Sequence, residues 1–248
     1  MQGHTAPLDT ASSARHAAEQ VAGTLSRLPD VHGVLLYGSV ARQTGVDPDS
    51  DIDLLVVGAN PKVTSRGLIS AIPARLRRLR LSLRYFTEDE LSRLFEAGVS
   101  FTEHLRREAV VLYDQDGDLG KIVRSPALPT ISLDEEIAAQ LDRLRPLEDW
   151  SQYNGNFLFC FAQLYAIGKA VVILVLLRSG EAEFDHRRLF KVYRTRYPNR
   201  GADVDTIIDL EPFARLVAGR PNELPFSYRD AEQHGRAAVA AVRRLAAP

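Results

Sequence analysis

The chain has 248 residues, of which 45% are hydrophobic and 25% charged, so it can bury the core of one large domain or two modest ones. Its net charge of −1 provides no basic field, which argues against long nucleic acids as substrates. The single cysteine, Cys160, excludes an intramolecular disulfide, and its apolar neighbours predict an inert buried thiol.

The N-terminal segment carries no sign of chemistry. It lacks a basic start followed by an apolar stretch, so no secretion signal is visible and we expect a cytoplasmic protein. Residues 1–8 are predicted to be a loosely held arm. Apolar residues recur at helical spacing from Thr10 to Leu28, and Pro29 ends this helix, which we expect to cover one face of a sheet.

The segment Leu35–Val57 contains the main motif, LLYGSVARQTGVDPDSDIDLLVV. Its pattern predicts a strand, a Gly-Ser turn, a short helix, a loop and a second strand. Gly38 lets the backbone come close to a ligand, and free amides at a helix start attract phosphate oxygens. Ser39 adds a hydroxyl group and Arg42 adds a positive charge, so we expect this turn to hold phosphate.

Two aspartates, Asp51 and Asp53, begin the second strand of the motif. Side chains alternate faces along a strand, so both carboxylates point the same way, with bases about 6–7 Å apart, and can share one small cation. A lone Asp-x-Asp is common and usually solvated, and a lone Gly-Ser is merely a turn. Together, separated by eleven residues and followed by an apolar run, they predict a site for a cation-bound nucleoside triphosphate.

The stretch GSVARQTGVDPDSDIDLLVV resembles the signature of the DNA polymerase beta nucleotidyltransferase superfamily, in the style of minimal and kanamycin-type nucleotidyltransferases. The resemblance is close over residues 30–60 and looser through Asp114. It departs at Gln43, where relatives often have glycine. The resemblance implies a triphosphate site and a Mg²⁺ site, formed by Gly38 and Ser39 and by Asp51 and Asp53 respectively.

The next strand departs from the family pattern. A helix over Lys62–Arg78, interrupted at Pro73, leads to RLSLRYFTEDEL, whose alternation predicts a strand. Relatives commonly carry a third carboxylate five residues before the Thr of the following turn, and the matching residue here is Ser82. Serine supplies no negative charge, and Arg80 and Arg84 on the same predicted face would repel cations if they pointed inward.

Three explanations for Ser82 stay open. Another carboxylate can substitute for the missing one, either Glu103 in the predicted helix over residues 100–107 or Glu148 or Asp149 further on. The enzyme can work with fewer ligands and an arginine that contacts phosphate directly. Alternatively, the site binds nucleotide without turning it over.

The acidic segment from Asp114 to Asp118 superficially resembles a calcium-binding loop. Such a loop needs a glutamate at its twelfth position, and that position is Ser125 here. We therefore predict a polar turn.

The second half of the chain has a helical pattern, and the proline-containing segment 125–130 separates it from the first. We predict domains over residues 1–127 and 128–248. The predicted helices are Leu133–Leu144, Tyr153–Ser179, Phe184–Tyr197, Val204–Ala218 and Ser227–Leu245. The second is long and apolar enough for a membrane span, but Gln163 and Lys169 interrupt it, so we expect a buried central helix and no membrane.

Lys169 is the charged residue in that apolar helix. Its amine must reach water, a carboxylate or a ligand. The resemblance to kanamycin-type enzymes implies contact with the nucleotide phosphates, because a lysine of their helical domain makes it. The alternative is that Lys169 extends to the surface.

We therefore expect an α/β (α+β) nucleotidyltransferase domain with a small mixed sheet, followed by an all-α helical bundle. The expected reaction is Mg²⁺-dependent transfer of a nucleoside monophosphate, AMP from ATP, to a hydroxyl of a small molecule, with Glu103 or Glu148 as the base. The alternatives are a catalytically impaired, antitoxin-like nucleotide-binding protein and a transferase acting on a protein or a tRNA. The resemblance also allows a homodimer, since related sites are often completed across subunits.

Overall fold

The structure is a computed structural model that describes residues 11–44, 46, 50–98, 100–124, 131–150, 156–220, 223–225 and 230–248. The chain consists of two compact units, Met1–Ile131 and Ser132–Pro248. The boundary predicted between residues 127 and 128 falls outside the described residues and stays a prediction.

The first unit is built on a four-stranded mixed sheet, as the sequence predicted. Its strands lie in the order β3-β2-β1-β4, with β1 antiparallel to both β2 and β4, and β2 parallel to β3. The strands are β1 (Gly33–Tyr37), β2 (Ile52–Gly58), β3 (Leu81–Thr87) and β4 (Val110–Asp114).

In the described part of the first unit, seven helices accompany this sheet. They are α1 (Ala11–Leu25), α2 (Gly38–Arg42), α3 (Ser65–Ala71), α4 (Ala74–Arg77), α5 (Glu88–Ala97), α6 (Ser100–Glu108) and α7 (Leu119–Arg124). Residues of α1, α3 and α4 pack in the core on one face of the sheet, and residues of α5, α6 and α7 pack in the core on the other. The helix predicted over residues 62–78 is split into α3 and α4, because Pro73 interrupts it.

Alternation along β2 divides its side chains between the two cores. Ile52, Leu54 and Val56 are fully buried on the face covered by α1, α3 and α4. Leu55 and Val57 are buried on the opposite face. Asp53, the second residue of β2, lies on the same face as Leu55 and Val57. The alternation that buries the core therefore also fixes where this carboxylate points.

The second unit, residues 132–248, is helical. Its helices are α8 (Leu133–Asp142), α9 (Phe157–Arg178), α10 (His186–Arg196), α11 (Gly201–Ile208), α12 (Glu211–Val217) and α13 (Ala231–Ala246), with 3₁₀ turns at Arg145–Leu147 and Pro198–Arg200. The prediction of one continuous helix over residues 204–218 is wrong, because this segment is divided between α11 and α12. Pro212, in the first turn of α12, lacks the amide that an unbroken helix needs there.

The long helix α9 packs against α8 and α10 to α13. It is apolar on all sides, which is typical of a core helix. Among the described residues it is the one helix with the length and composition to cross a membrane, and 67% of its apolar window is buried. The predicted start of this helix, residues 153–155, lies outside the described residues.

Candidate functional site

The candidate site lies where β1 ends and β2 begins. Tyr37, the last residue of β1, pairs with Asp53 in β2, and Asp53 pairs with Ser82 in β3. These three residues therefore form one row across the sheet. Gly38 follows Tyr37 directly and begins α2, so the strand pairing brings the Gly-Ser turn to the two aspartates.

Gly38 fits closely against Asp53. Its φ angle is +74°, which L side chains rarely adopt, and a Cβ atom built on it would lie 2.5 Å from Oδ2 of Asp53. Only glycine therefore allows both the turn and the approach of this carboxylate. The helix that follows ends at Gln43, whose φ angle is 58°. The left-handed conformation at Gln43 explains why glycine is favoured there in relatives.

The Asp53 carboxylate is largely buried and carries an electrostatic penalty. Burial raises the pKa of Asp53 to about 6, against the hydrogen bond from Ser82, and the nearby charge of Asp51 raises this pKa further. The charges of His104 and Arg84 act in the opposite direction. An ionised Asp53 therefore lacks full compensation from the protein alone, and a cation at this carboxylate would favour its charged form.

A chain of hydrogen bonds runs through Ser82. Its hydroxyl bonds both to Asp53 and to the phenol of Tyr37, which in turn bonds to Arg84. Burial raises the pKa of Tyr37 to about 12, so the phenol keeps its proton and can donate. With Asp53 ionised, the guanidinium donates to Tyr37. Tyr37 then donates to Ser82, and Ser82 donates to the carboxylate.

Arg84 lies two residues after Ser82 on the same face of β3. Its guanidinium carbon is 5.1 Å from the centroid of the Phe101 ring, which is a cation–π contact. The side chain of Arg84 is exposed, but Tyr37 and Phe101 hold its charged end beside Asp53. The positive charge of Arg84 therefore acts on Asp53.

Arg42 belongs to a second, adjoining cluster. Its Nη1 atom is 2.5 Å from Oε2 of Glu108, and Nε2 of His104 is 2.8 Å from the same oxygen. The ring of His104 lies edge-on to Tyr37, with 5.9 Å between the ring centroids. The Arg42 guanidinium thereby joins α2 to α6. Its predicted contact with phosphate stays a prediction.

Sequence reasoning missed Tyr37, His104 and Glu108 as parts of the site. The spacing of His104 and Glu108, four residues apart on one helix, was a signal that the two side chains meet. Nothing in the local sequence indicated that this pair would lie against Tyr37 and Arg42, because α6 is distant from them along the chain.

Glu103, a predicted base, forms ion pairs with arginines of its own helix, α6. Its two carboxylate oxygens accept hydrogen bonds from Arg106, at 2.6 Å, and from Arg107, at 2.5 Å. Burial works to raise the pKa of Glu103, but the hydrogen bonds and charges of these two arginines outweigh it and hold the pKa below its usual value. A carboxylate with a lowered pKa is a weaker proton acceptor.

The other predicted residues, Glu148 and Lys169, lie in the second unit. Glu148 forms an ion pair with Arg243. The Nζ atom of Lys169 is 5.8 Å from the ring centroid of Tyr165 on the same helix, and the side chain is half-buried. Their proposed roles at the nucleotide stay predictions.

A separate group of potential metal ligands lies at the other end of the sheet, where β1 begins. It consists of His32, Glu88 and Asp116, whose ligand atoms all lie within 4.8 Å of one another beside a cavity of about 250 Å³. Glu88 also stands in the first turn of α5, where an acid favours the helix dipole. The carboxylate of Asp114 accepts hydrogen bonds from the amide of Gly117, at 2.9 Å, as expected of a polar turn.

Comparisons with known proteins identify the domain that contains the site. Residues 18–109 match the sequence family described as nucleotidyltransferase domain, a range that includes the Gly-Ser turn, both aspartates and Ser82. A solved structure, a nucleotidyltransferase-like protein from Exiguobacterium sibiricum, is 18% identical, with 94% of this chain and 74% of that chain covered and a TM-score of 0.38. No curated protein matches the chain.

We predict that Gly38→Ala destabilises the first unit more than Gly117→Ala does. Both glycines have a φ angle of +74°, but nothing lies within 4 Å of a Cβ atom at Gly117. Both substitutions should lose about 1–2 kcal/mol from the left-handed backbone, and only Gly38→Ala should lose more through collision with Asp53. Urea unfolding measures both; equal losses would show that the approach of Asp53 to Gly38 is unimportant.

We also predict that Asp53→Asn stabilises the metal-free protein at neutral pH. Because the folded-state pKa of about 6 lies above the usual 3.8, the wild type loses stability as the pH rises through this interval, and the full penalty is present above pH 6. The substitution should therefore add roughly 1–3 kcal/mol at pH 7, since one pKa unit corresponds to about 1.4 kcal/mol, and little at pH 4.

Urea unfolding in the presence of a chelator, at pH 4 and pH 7, tests this pH dependence. Asp116→Asn is the matched control, because it makes the same Asp-to-Asn exchange at an exposed side chain. A loss of stability in Asp53→Asn that is the same at both pH values would make Asp53 a structural residue instead.

Proposed function

We propose that this chain, whose residues 18–109 form a nucleotidyltransferase domain, transfers a nucleoside monophosphate, AMP from ATP, to a hydroxyl of a small molecule and releases pyrophosphate. The observation that carries the proposal is the pair Asp51 and Asp53 at the start of β2, with Gly38 seated against the second carboxylate. The domain match supports nucleotidyl transfer in general. The nucleotide, the metal and the acceptor are our assignment.

A divalent cation such as Mg²⁺ fits the residues present. Asp51 and Asp53 offer carboxylate oxygens, the donors that Mg²⁺ prefers, and Asp53 is a largely buried carboxylate whose charge the protein compensates only in part. When bound there, Mg²⁺ would neutralise charge on the triphosphate and polarise an oxygen of the α-phosphoryl group.

The residues around the aspartates have defined tasks in this proposal. Gly38 and Ser39 hold the β- and γ-phosphates, with the half-exposed Ser39 hydroxyl as a donor. Either Arg42 or Lys169 assists at the same phosphates. The acceptor's hydroxyl oxygen attacks the α-phosphorus, a new P–O bond forms, and the bond between the α-phosphorus and the bridging oxygen breaks so that pyrophosphate leaves.

The acceptor's proton goes to a carboxylate within hydrogen-bond reach, for which we propose Glu103 or Glu148. Glu103 must first release one of its two arginine partners, since both of its oxygens are engaged. Glu148 must likewise separate from Arg243. In either case the acceptor has to displace an ion pair before the proton can move.

We propose a small-molecule acceptor, because the net charge of −1 offers no general attraction to a long polyanion. We also propose that the protein is cytoplasmic, does not enter the membrane and forms a homodimer. One local feature favours tRNA as an alternative acceptor. A groove of about 600 Å³ in the helical unit is lined by three basic residues and one acid. The basic residues, Arg188, Lys191 and Arg196, outnumber Glu181 and would attract phosphates.

A second candidate function follows from Ser82. It lies beside Asp53 on the neighbouring strand, where relatives commonly carry a carboxylate, and supplies only a neutral hydroxyl. That observation favours a nucleotide-binding, antitoxin-like protein that does not turn the nucleotide over. Both functions require the nucleotide to bind, so they differ in turnover alone.

We predict that a non-hydrolysable ATP analogue binds the wild type only with Mg²⁺, and that Asp53→Ala abolishes this binding. The physical reason is that the metal must join the triphosphate to the carboxylates. Isothermal titration calorimetry with and without Mg²⁺ measures it. Asp116→Asn is the control, because it removes a potential ligand of the other cluster and should leave nucleotide binding intact.

Failure of the folded wild type to bind any of the four nucleoside triphosphates would refute the transferase proposal. If the analogue binds, pyrophosphate release from ATP in a screen of hydroxyl-bearing acceptors separates the transferase from the binding protein. Loss of binding in Asp116→Asn, with Asp53→Ala unaffected, would move the metal to the other end of the sheet.

A further inference from the structure

We infer that Arg84 supplies the positive charge that a second metal ion would otherwise supply, so that the site works with a single divalent cation. This inference rests on the proposed function, because it concerns how the triphosphate's charge is neutralised. It assigns Arg84 as a phosphate-binding residue of the nucleotide site.

The number of anionic ligands at the site limits how many metal ions it can hold. Ser82 stands next to Asp53 in the parallel register of β2 and β3, and its hydroxyl already bonds to Asp53 and Tyr37. A neutral hydroxyl cannot replace a carboxylate in holding a second dication. Among the residues that the structure describes, strand β3 therefore places no third acid beside the pair Asp51 and Asp53.

Two acids of α6, Glu103 and Glu108, already pair with basic side chains. Glu103 is held by Arg106 and Arg107. Glu108 is shared by Arg42 and His104 on one oxygen, and its side chain is only 12% exposed. Recruiting either glutamate to a metal would leave a partly buried arginine without its partner, which is unfavourable.

Arg84 is held in position by its strand and its neighbours. Alternation along β3 places it on the same face as Ser82, and its guanidinium is held by the Tyr37 phenol and stacks on Phe101 at 5.1 Å. These contacts depend on strand register and aromatic packing, so they can stay in place when a nucleotide occupies the site. In the parallel register of β2 and β3, Arg84 pairs with Leu55, which lies two residues after Asp53 on the same face of β2.

Arg84 is chemically suited to this role. A guanidinium presents several N–H donors in a rigid plane and binds phosphate oxygens by two parallel hydrogen bonds, which an ammonium cannot do. It also stays charged at all relevant pH values. When the triphosphate binds, Arg84 can donate to a phosphate oxygen while keeping its contact with Phe101, which pre-organises it.

The test counts metal ions in the nucleotide complex. Mn²⁺ is titrated into the wild type with a non-hydrolysable ATP analogue, and protein-bound Mn²⁺ is counted by electron paramagnetic resonance. We expect one Mn²⁺ per nucleotide bound. Mn²⁺ that binds without nucleotide, for example at the cluster of His32, Glu88 and Asp116, is counted first and subtracted. Two further Mn²⁺ per nucleotide would overturn the inference while leaving the proposed function standing, whereas failure of the wild type to bind the analogue at all would overturn both.

Substitution of Arg84 gives the second readout. Arg84→Ala should weaken binding of the analogue roughly 10- to 100-fold, as expected for loss of a charge-assisted hydrogen bond, and Arg84→Lys should restore only part of it. The matched control is Arg93→Ala, which removes an arginine bonded to a carbonyl of its own helix and should not change affinity. Unchanged affinity in Arg84→Ala would overturn the inference.

A double variant, Ser82→Asp with Arg84→Ala, tests the same idea from the opposite direction. It exchanges the guanidinium for a third carboxylate, and we expect it to bind a second Mn²⁺ in the nucleotide complex. Because Ser82→Asp adds a charge beside Asp53 and can impair folding, circular dichroism is measured first. The two single Arg84 variants carry the test if the double variant does not fold.

Discussion

The charge of Asp53 is the constraint on which the candidate site depends. The alternation that buries Leu54 and Val56 on one face of β2 also turns Asp53 into the opposite side of the sheet, where it is largely removed from water. A partly buried carboxylate with a raised pKa lowers the stability of the domain at neutral pH. A residue kept at such a cost is better explained by a ligand that it binds than by the fold.

The surroundings of Asp53 are arranged to approach it without fully neutralising it. Gly38 gives way sterically, Ser82 donates one hydrogen bond, and Arg84 acts through its charge and through Tyr37. A complete ion pair would neutralise the charge of the carboxylate and weaken its attraction for a cation. The network therefore keeps the site ordered and leaves it electrostatically receptive.

Local spacing was sufficient to predict the main elements around the candidate site. The motif Leu35–Val57 predicted strand, turn, helix and strand, and the alternation in β3 placed Ser82 and Arg84 on one face. These features depend on residues close in sequence, where periodicity and turn chemistry decide the structure. The small mixed sheet was implied by the resemblance to nucleotidyltransferases, because strand order and direction do not follow from local spacing.

Contacts between distant segments could not be predicted in the same way. The meeting of Tyr37 with His104, and of Arg42 with Glu108, depends on how α6 packs against the end of β1. By contrast, the pairing of Glu103 with its neighbouring arginines follows from helical spacing and was within reach of sequence reasoning. The break before Pro212 was within reach for the same reason, since proline in a helical pattern ends it.

The central claim is that one end of this sheet binds a metal–nucleotide complex. Crystals of the protein grown with Mn²⁺ and a non-hydrolysable ATP analogue, measured at the manganese absorption edge, test it most directly. We predict an anomalous peak in contact with both Asp51 and Asp53, with the triphosphate beside Gly38 and Ser39. A peak confined to His32, Glu88 and Asp116, with no nucleotide at the aspartates, would contradict the account.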